Sequence, residues 1–80
     1  MYFVYVIKSK VDGRLYKGIS EDPEKRLKEH NTGKTKSTRS FKPWELVYTE
    51  KFQNIKEARN KEKYFKSGIG REYLNTILDP

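Results

Sequence analysis

The chain opens on six apolar or aromatic residues in a row, Tyr2-Phe3-Val4-Tyr5-Val6-Ile7. A β-branched and aromatic run without alternation reads as a strand buried on both faces, and such a strand belongs at the centre of its sheet. Asp12-Gly13 marks a turn and Arg14–Ile19 forms a second short run. Together they predict an antiparallel hairpin with its loop near residues 9–13. Asp22-Pro23-Glu24 predicts a helix start: Asp as N-cap, Pro at the first helical position, a carboxylate at the positive end of the dipole. That helix should run to about His30, with Asn31 and Gly33 ending it.

Residues 32–43 form a Thr/Ser/Lys loop closed by Pro43. Trp44–Lys51 predicts a third strand in which Leu46 and Tyr48 alternate with Val47 and Thr49. Asn54, with Glu57 three residues on, opens a second helix to about Lys66. Its apolar stripe runs Ile55, Ala58, Phe65, Ile69, and Gly68 and Gly70 are expected to break it. Residues 71–78 place Tyr73, Leu74, Ile77 and Leu78 on one stripe, a short final helix. The order β-β-α-β-α-α predicts an α+β fold: a three-stranded antiparallel sheet flanked by helices, one domain over residues 1–80.

Composition narrows the function. With 34% apolar and 36% charged residues, there is material for one thin core. The absence of cysteine excludes disulfide scaffolds, Cys-based zinc sites, iron–sulfur clusters and cysteine nucleophiles. No apolar run comes near the ~18 residues of a membrane span, and Met1 leads directly into strand-like residues rather than a signal peptide. The expectation is a soluble, cytoplasmic protein.

Of a net charge of +7, residues 25–42 carry +6: seven Lys/Arg against Glu29 alone. Charge concentrated in so short a segment reads as a polyanion footprint, and a basic solvated loop is the plain alternative. DNA, or structured RNA, is favoured over an anionic membrane, because no basic amphipathic helix carries large apolar anchors.

Three placements are not explained by folding alone. Glu62 falls on the apolar stripe of the second helix, between Ala58 and Phe65. A buried unpaired carboxylate costs several kcal/mol. Glu62 therefore either pairs with Lys66 at i+4 or holds a hard cation such as Mg²⁺ beside waters and phosphate. Arg26 and His30 lie one turn apart on the first helix, as a solvated face or as a phosphate clamp with a proton carrier. Six tyrosines are present, and Tyr5 and Tyr16 sit on the two hairpin strands. Tyr16-Lys17-Gly18 sets a Tyr beside a strand Gly, which often marks a close approach. Two phenols, an Arg, a His and a Glu on one face suit water-activated phosphodiester cleavage with one metal ion. A Ser–His–Asp arrangement and a P-loop are absent.

These residues, in order and spacing, resemble the GIY-YIG nuclease superfamily, in particular small stand-alone members similar to the catalytic domain of the bacterial excision-repair endonuclease. Phe3-Val4-Tyr5 stands at the first motif and Tyr16-Lys17-Gly18 at the second, the tyrosines eleven positions apart. Arg26 follows ten positions later, then His30-Asn31. Glu57-Ala58-Arg59-Asn60-Lys61-Glu62, followed by Lys66-Ser67-Gly68, looks like the metal-carboxylate helix. Two positions depart from the first motif: Val4 stands for its Ile, and Phe3 for its Gly, which is commonly lost in the small stand-alone branch.

The resemblance implies one divalent ion, Mg²⁺ or Mn²⁺, on Glu62, a water nucleophile, Arg26 on the phosphate, and His30 as helper. It leaves Tyr5 and Tyr16 both open as general base, with Arg26, Lys17 or the metal lowering the phenol pKa. Lys17, Asn31, Lys34, Lys36 and Arg39 would contact the nucleic-acid backbone. The implied activity is endonuclease-type hydrolysis of DNA in repair or processing, structure- rather than sequence-directed, with a protein partner able to supply specificity. A non-catalytic nucleic-acid-binding module on the same fold is the competing class.

Overall fold

The computed structural model describes residues 1–78. Strands β1 (Tyr2–Ser9) and β2 (Leu15–Ser20) form a hairpin, followed by helix α1 (Pro23–Asn31) and a single 3₁₀ turn at Arg39–Phe41. Strand β3 (Trp44–Phe52) and helices α2 (Ile55–Lys66) and α3 (Gly68–Leu78) complete the order. The sheet is antiparallel with strand order β2-β1-β3. The strand with apolar residues on both faces is thus the central one, as its composition requires.

Period-two alternation sorts the side chains of β1 into two cores. Val4 and Val6 pack with Ala58, Phe65 and Leu74 beneath α2 and α3. Tyr5 and Ile7 pack with Trp44, and Tyr16, Leu27, Phe41 and Leu46 surround them beneath α1 and the basic loop. The predicted caps form: Asp22 accepts from the Lys25 amide at 3.2 Å and Asn54 from the Glu57 amide at 2.9 Å.

Strand β3 departs from simple alternation. Its register against β1 shifts between Val6, paired with Tyr48, and Ile7, paired with Leu46. The extra residue, Val47, forms a bulge. Leu46 therefore joins the Tyr5 core while Val47 and Tyr48 both join the Val4 core, rather than Leu46 and Tyr48 sharing a face.

The α2–α3 junction differs too. Only Ser67 breaks the helices, with an extended ψ of 164°. Gly68 and Gly70 lie inside α3, three residues ahead of the predicted start. Gly70 serves packing instead of breaking: a Cβ there would run into the Tyr64 carbonyl. Of the predicted stripe on the last helix, Leu74 is buried and Leu78 half-buried, whereas Tyr73 and Ile77 are each 43% exposed. Ile69, expected on the α2 stripe, belongs to α3 and is 72% exposed.

Candidate active site

The site begins at the pairing of Tyr5 with Gly18. The Tyr5 ring lies across the bare glycine, where a Cβ would stand 2.5 Å from the phenolic oxygen. The close approach signalled by Gly18 is thus made by a side chain of the protein itself. Across β1, the ring meets α1: Tyr5 Oη is 3.0 Å from His30 Nε2, and His30 Nδ1 is 2.8 Å from Thr38 Oγ1. Thr38 Oγ1 in turn donates to the Thr35 carbonyl at 3.4 Å.

The Arg26 guanidinium lies near the Tyr5 oxygen, and its charge partly offsets the burial that raises the Tyr5 pKa. A cation on that side turns the phenolic proton toward His30 Nε2. His30 then carries its proton on Nδ1 and gives it to Thr38, so the proton direction runs Tyr5 to His30 to Thr38 to Thr35. Burial, with Arg26 nearby, also holds the His30 pKa below 6.5 and keeps the imidazole neutral. His30 is fully buried and reaches the phenol but no solvent.

Tyr16 stands beside this relay, its ring edge-on to His30 at 5.0 Å and to Trp44 at 6.4 Å. It is half-buried, and its hydroxyl has no hydrogen-bond partner among the described residues. Arg26 donates to Glu29 at 2.7 Å, a pair that raises the Arg26 pKa and lowers that of Glu29.

Glu62 projects from α2, on the opposite side of the sheet from α1. It is half-buried, with 24% of its side chain exposed, and pairs with the exposed Lys66 at 3.4 Å. The i+4 pair anticipated from spacing is therefore present. Glu62 is also near enough for its charge to raise the Tyr5 pKa. Tyr5, Tyr16, Arg26 and His30 thus gather on one face, with Glu62 approaching from the other.

The remaining candidates lie elsewhere. Lys17 follows Tyr16 in sequence but alternation sends it to the α2 face, with Leu15 and Ile19, so it does not support the Tyr16 phenol. Asn31 spends both ends of its amide on Trp44, donating to the carbonyl at 3.0 Å and accepting from the amide at 2.6 Å. It clamps α1 to β3, so these two amide bonds go to Trp44 rather than outward. Lys34, Lys36 and Arg39 are exposed along the loop between α1 and β3.

Sequence reasoning missed Thr38 and Glu29. Glu29 carries the i+3 signal of a helix pair with Arg26. Thr38 carries none, being one of several Ser/Thr residues in a loop whose path only the fold reveals.

The sequence profile of the GIY-YIG catalytic domain matches residues 1–74. The chain belongs to the GIY-YIG nuclease family. It is 46% identical over 78 residues to a UPF0213 protein of Clostridium perfringens, covering 96% of this chain and 83% of that one. With a UPF0213 protein of Staphylococcus saprophyticus the identity is 40% over 79 residues, covering 98% and 95%. The solution NMR structure of a UPF0213 protein from Bacillus halodurans is similar at a TM-score of 0.59 and 35% identity, covering all of this chain and 89% of that one. GIY-YIG membership supports a nuclease-type function with DNA as substrate. No helix among the described residues is long and apolar enough to cross a membrane.

The donor set bears on the divalent ion such nucleases use. Among the described residues no three His, Cys, Asp or Glu side chains gather as a metal cage. A zinc-type site of three or four protein ligands is not what these residues build. One half-buried carboxylate facing solvent fits Mg²⁺ or Mn²⁺, which keep waters and take substrate phosphate oxygens as ligands. The hollow lined by Tyr2, Ile19 and Arg59 and the one lined by Phe3, Pro23 and Leu46 are both formed without Tyr5, Tyr16, Arg26, His30 or Glu62.

Proposed function

We propose that this protein is a metal-dependent endonuclease that hydrolyses DNA phosphodiester bonds, acting in repair or processing. The observation that carries the reading is the meeting of Tyr5, Tyr16, Arg26 and His30 on one face, with the Glu62 charge reaching the same phenol.

In this reading Glu62 holds a single Mg²⁺ or Mn²⁺. Bound there, the ion supplies positive charge against the phosphate oxygens. Tyr16 is half-exposed and its hydroxyl has no protein partner among the described residues; once that hydroxyl has given its own proton to solvent, the phenolate oxygen takes the proton of the attacking water and returns to phenol. Tyr5 is buried, its hydroxyl is engaged by His30, and burial raises its pKa. Each of these argues against Tyr5 as base and for a role in holding Arg26 and the floor beneath Tyr16.

Arg26, anchored through one nitrogen by Glu29, offers its remaining N–H groups to the charge that develops on phosphate. His30 acts through Tyr5 as a positioning residue. Lys34, Lys36 and Arg39 contact backbone phosphates, which carry no base information, so recognition follows DNA shape more than sequence.

The test is incubation with supercoiled and branched DNA in Mg²⁺, Mn²⁺ or EDTA, beside Glu62→Ala. Nicking that requires the cation and falls by about 10²-fold or more in the variant is expected. Binding without cleavage in every condition overturns the reading in favour of a non-catalytic module. Cleavage that persists in Glu62→Ala overturns the metal assignment.

A further inference from the structure

Between the end of β2 and the first turns of α2 the surface dips into a hollow of about 390 Å³, lined by Tyr2, Ile19, Ser20, Glu21, Ile55 and Arg59. Its volume lies in the range of pockets that take small organic groups. Tyr2, Ile19 and Ile55 supply an apolar wall, all three half-buried. Tyr2 and Ile19 also pack against the core of Val4 and Phe65, so the wall is held from behind.

The rim is polar, and its groups are not spent on one another. Ser20 Oγ accepts from the Asp22 amide at 2.9 Å, and no acceptor among the described residues takes its hydroxyl proton. Glu21 and Arg59 are exposed, and among the described residues neither is in an ion pair, although both line the hollow. A hydroxyl donor, a carboxylate acceptor and a cation thus surround an apolar wall. A flat heteroaromatic base fits that combination: its faces lie against aromatic and apolar side chains, and its edge carries donors and acceptors for Glu21 and Ser20. The Glu21 carboxylate repels a phosphate from the interior, which leaves the phosphate of the same nucleotide to Arg59 at the rim.

The position of the hollow ties it to the candidate centre. Ile19 follows Gly18, the residue the Tyr5 ring lies across. Arg59 precedes Glu62 by three residues on α2, so both side chains leave the helix on one face. A strand with a phosphate at Glu62 therefore passes the hollow with a neighbouring nucleotide. A base inside an intact duplex is stacked and paired, and it reaches a concave surface only by leaving both arrangements.

We propose that this hollow is a subsite for one unpaired base, belonging to a nucleotide that neighbours the phosphate to be cut. This deepens the nuclease reading and rests on it. The substrate class it names is DNA with a nucleotide already unpaired, at a bulge or a branch, where extrusion from the stack needs the least energy.

The test is binding in EDTA, so that no cleavage intrudes, of a DNA duplex with one bulged 2-aminopurine and of the same duplex fully paired. The wild type is expected to bind the bulged duplex about tenfold more tightly, with a change in 2-aminopurine fluorescence. In NMR spectra the amides of Ile19, Ser20, Glu21 and Arg59 should shift more with the bulged duplex than with the paired one. Tyr2→Ala should remove most of the preference. Ser20→Ala combined with Glu21→Gln leaves the wall intact and should reduce it about fivefold. Because the readout is a ratio of two affinities, a change in overall charge cancels. Equal wild-type affinity for the two duplexes overturns the subsite, and so does a preference that survives in both variants. Metal-dependent nicking by the wild type in either case leaves the nuclease reading standing. A wild type that neither binds nor cuts DNA overturns both. Should Tyr2→Ala fold poorly, the double variant, altered only at the rim, gives the decision alone.

Discussion

Strand β1 sends its side chains into two different kinds of interior. Toward α2 and α3 the buried cluster is Val4, Val6, Ala58, Phe65 and Leu74, all apolar. Toward α1 and the basic loop, Tyr5, Ile7 and Trp44 are buried together with three polar residues, Ser9, His30 and Thr38. Each polar group there is satisfied: Ser9 donates to the Phe41 carbonyl at 2.6 Å, the Trp44 indole donates to the Thr38 carbonyl at 2.8 Å, and His30 uses both nitrogens. No buried side-chain nitrogen or oxygen among the described residues lacks a partner.

The first face holds by apolar area, which has no direction and tolerates reshaping. The second holds by directional bonds that leave each ring one orientation. A site that must place a phenol and a guanidinium belongs on the second kind of surface, and that is where Tyr5, Tyr16 and Arg26 stand.

The contrast breaks most visibly on the apolar side. Phe65→Ala should cost about 3–5 kcal/mol, a large share of the stability of a small domain. Denaturant unfolding measures the loss, and the Tyr5–His30 pair should survive in the folded fraction, read from the imidazole NMR signals. On the polar side, His30→Gln should cost about 1–3 kcal/mol by unsettling Tyr5 and Thr38. Combined with Tyr5→Phe, the total should fall short of the sum of the two single losses, because both remove the same bond. Additive losses would mean the bond contributes little.

The smallest effect sharpens the comparison through pH. Burial and Arg26 hold the folded-state His30 pKa below 6.5, the value the unfolded chain takes. The unfolded chain therefore binds a proton that the folded one refuses as pH drops below 6.5. Stability present above 6.5 is lost as pH falls from there through the lowered folded-state value. Melting temperatures at pH 7.5 and 5.5 should differ more in the wild type than in His30→Gln. Equal differences would remove His30 as the titrating group.

Much of this was readable from residue order, because the signals involved are local. An unbroken apolar run makes β1 central, Asp22-Pro23 and Asn54 with Glu57 start helices through bonds within four residues, and Glu62 with Lys66 follows from helix pitch. The motif spacing was enough to suggest the family. What required the folded chain was everything set by contacts between distant segments. The β3 bulge at Val47 reassigns a face because register depends on the partner strand. Thr38 finds His30 only once the loop has closed, and Asn31 becomes a clamp only when Trp44 arrives. Gly70 looks like a helix breaker until the Tyr64 carbonyl stands against it. Periodicity and caps act over a few residues and can be read in one dimension, whereas buried hydrogen bonds and charge clusters depend on distances that only packing sets.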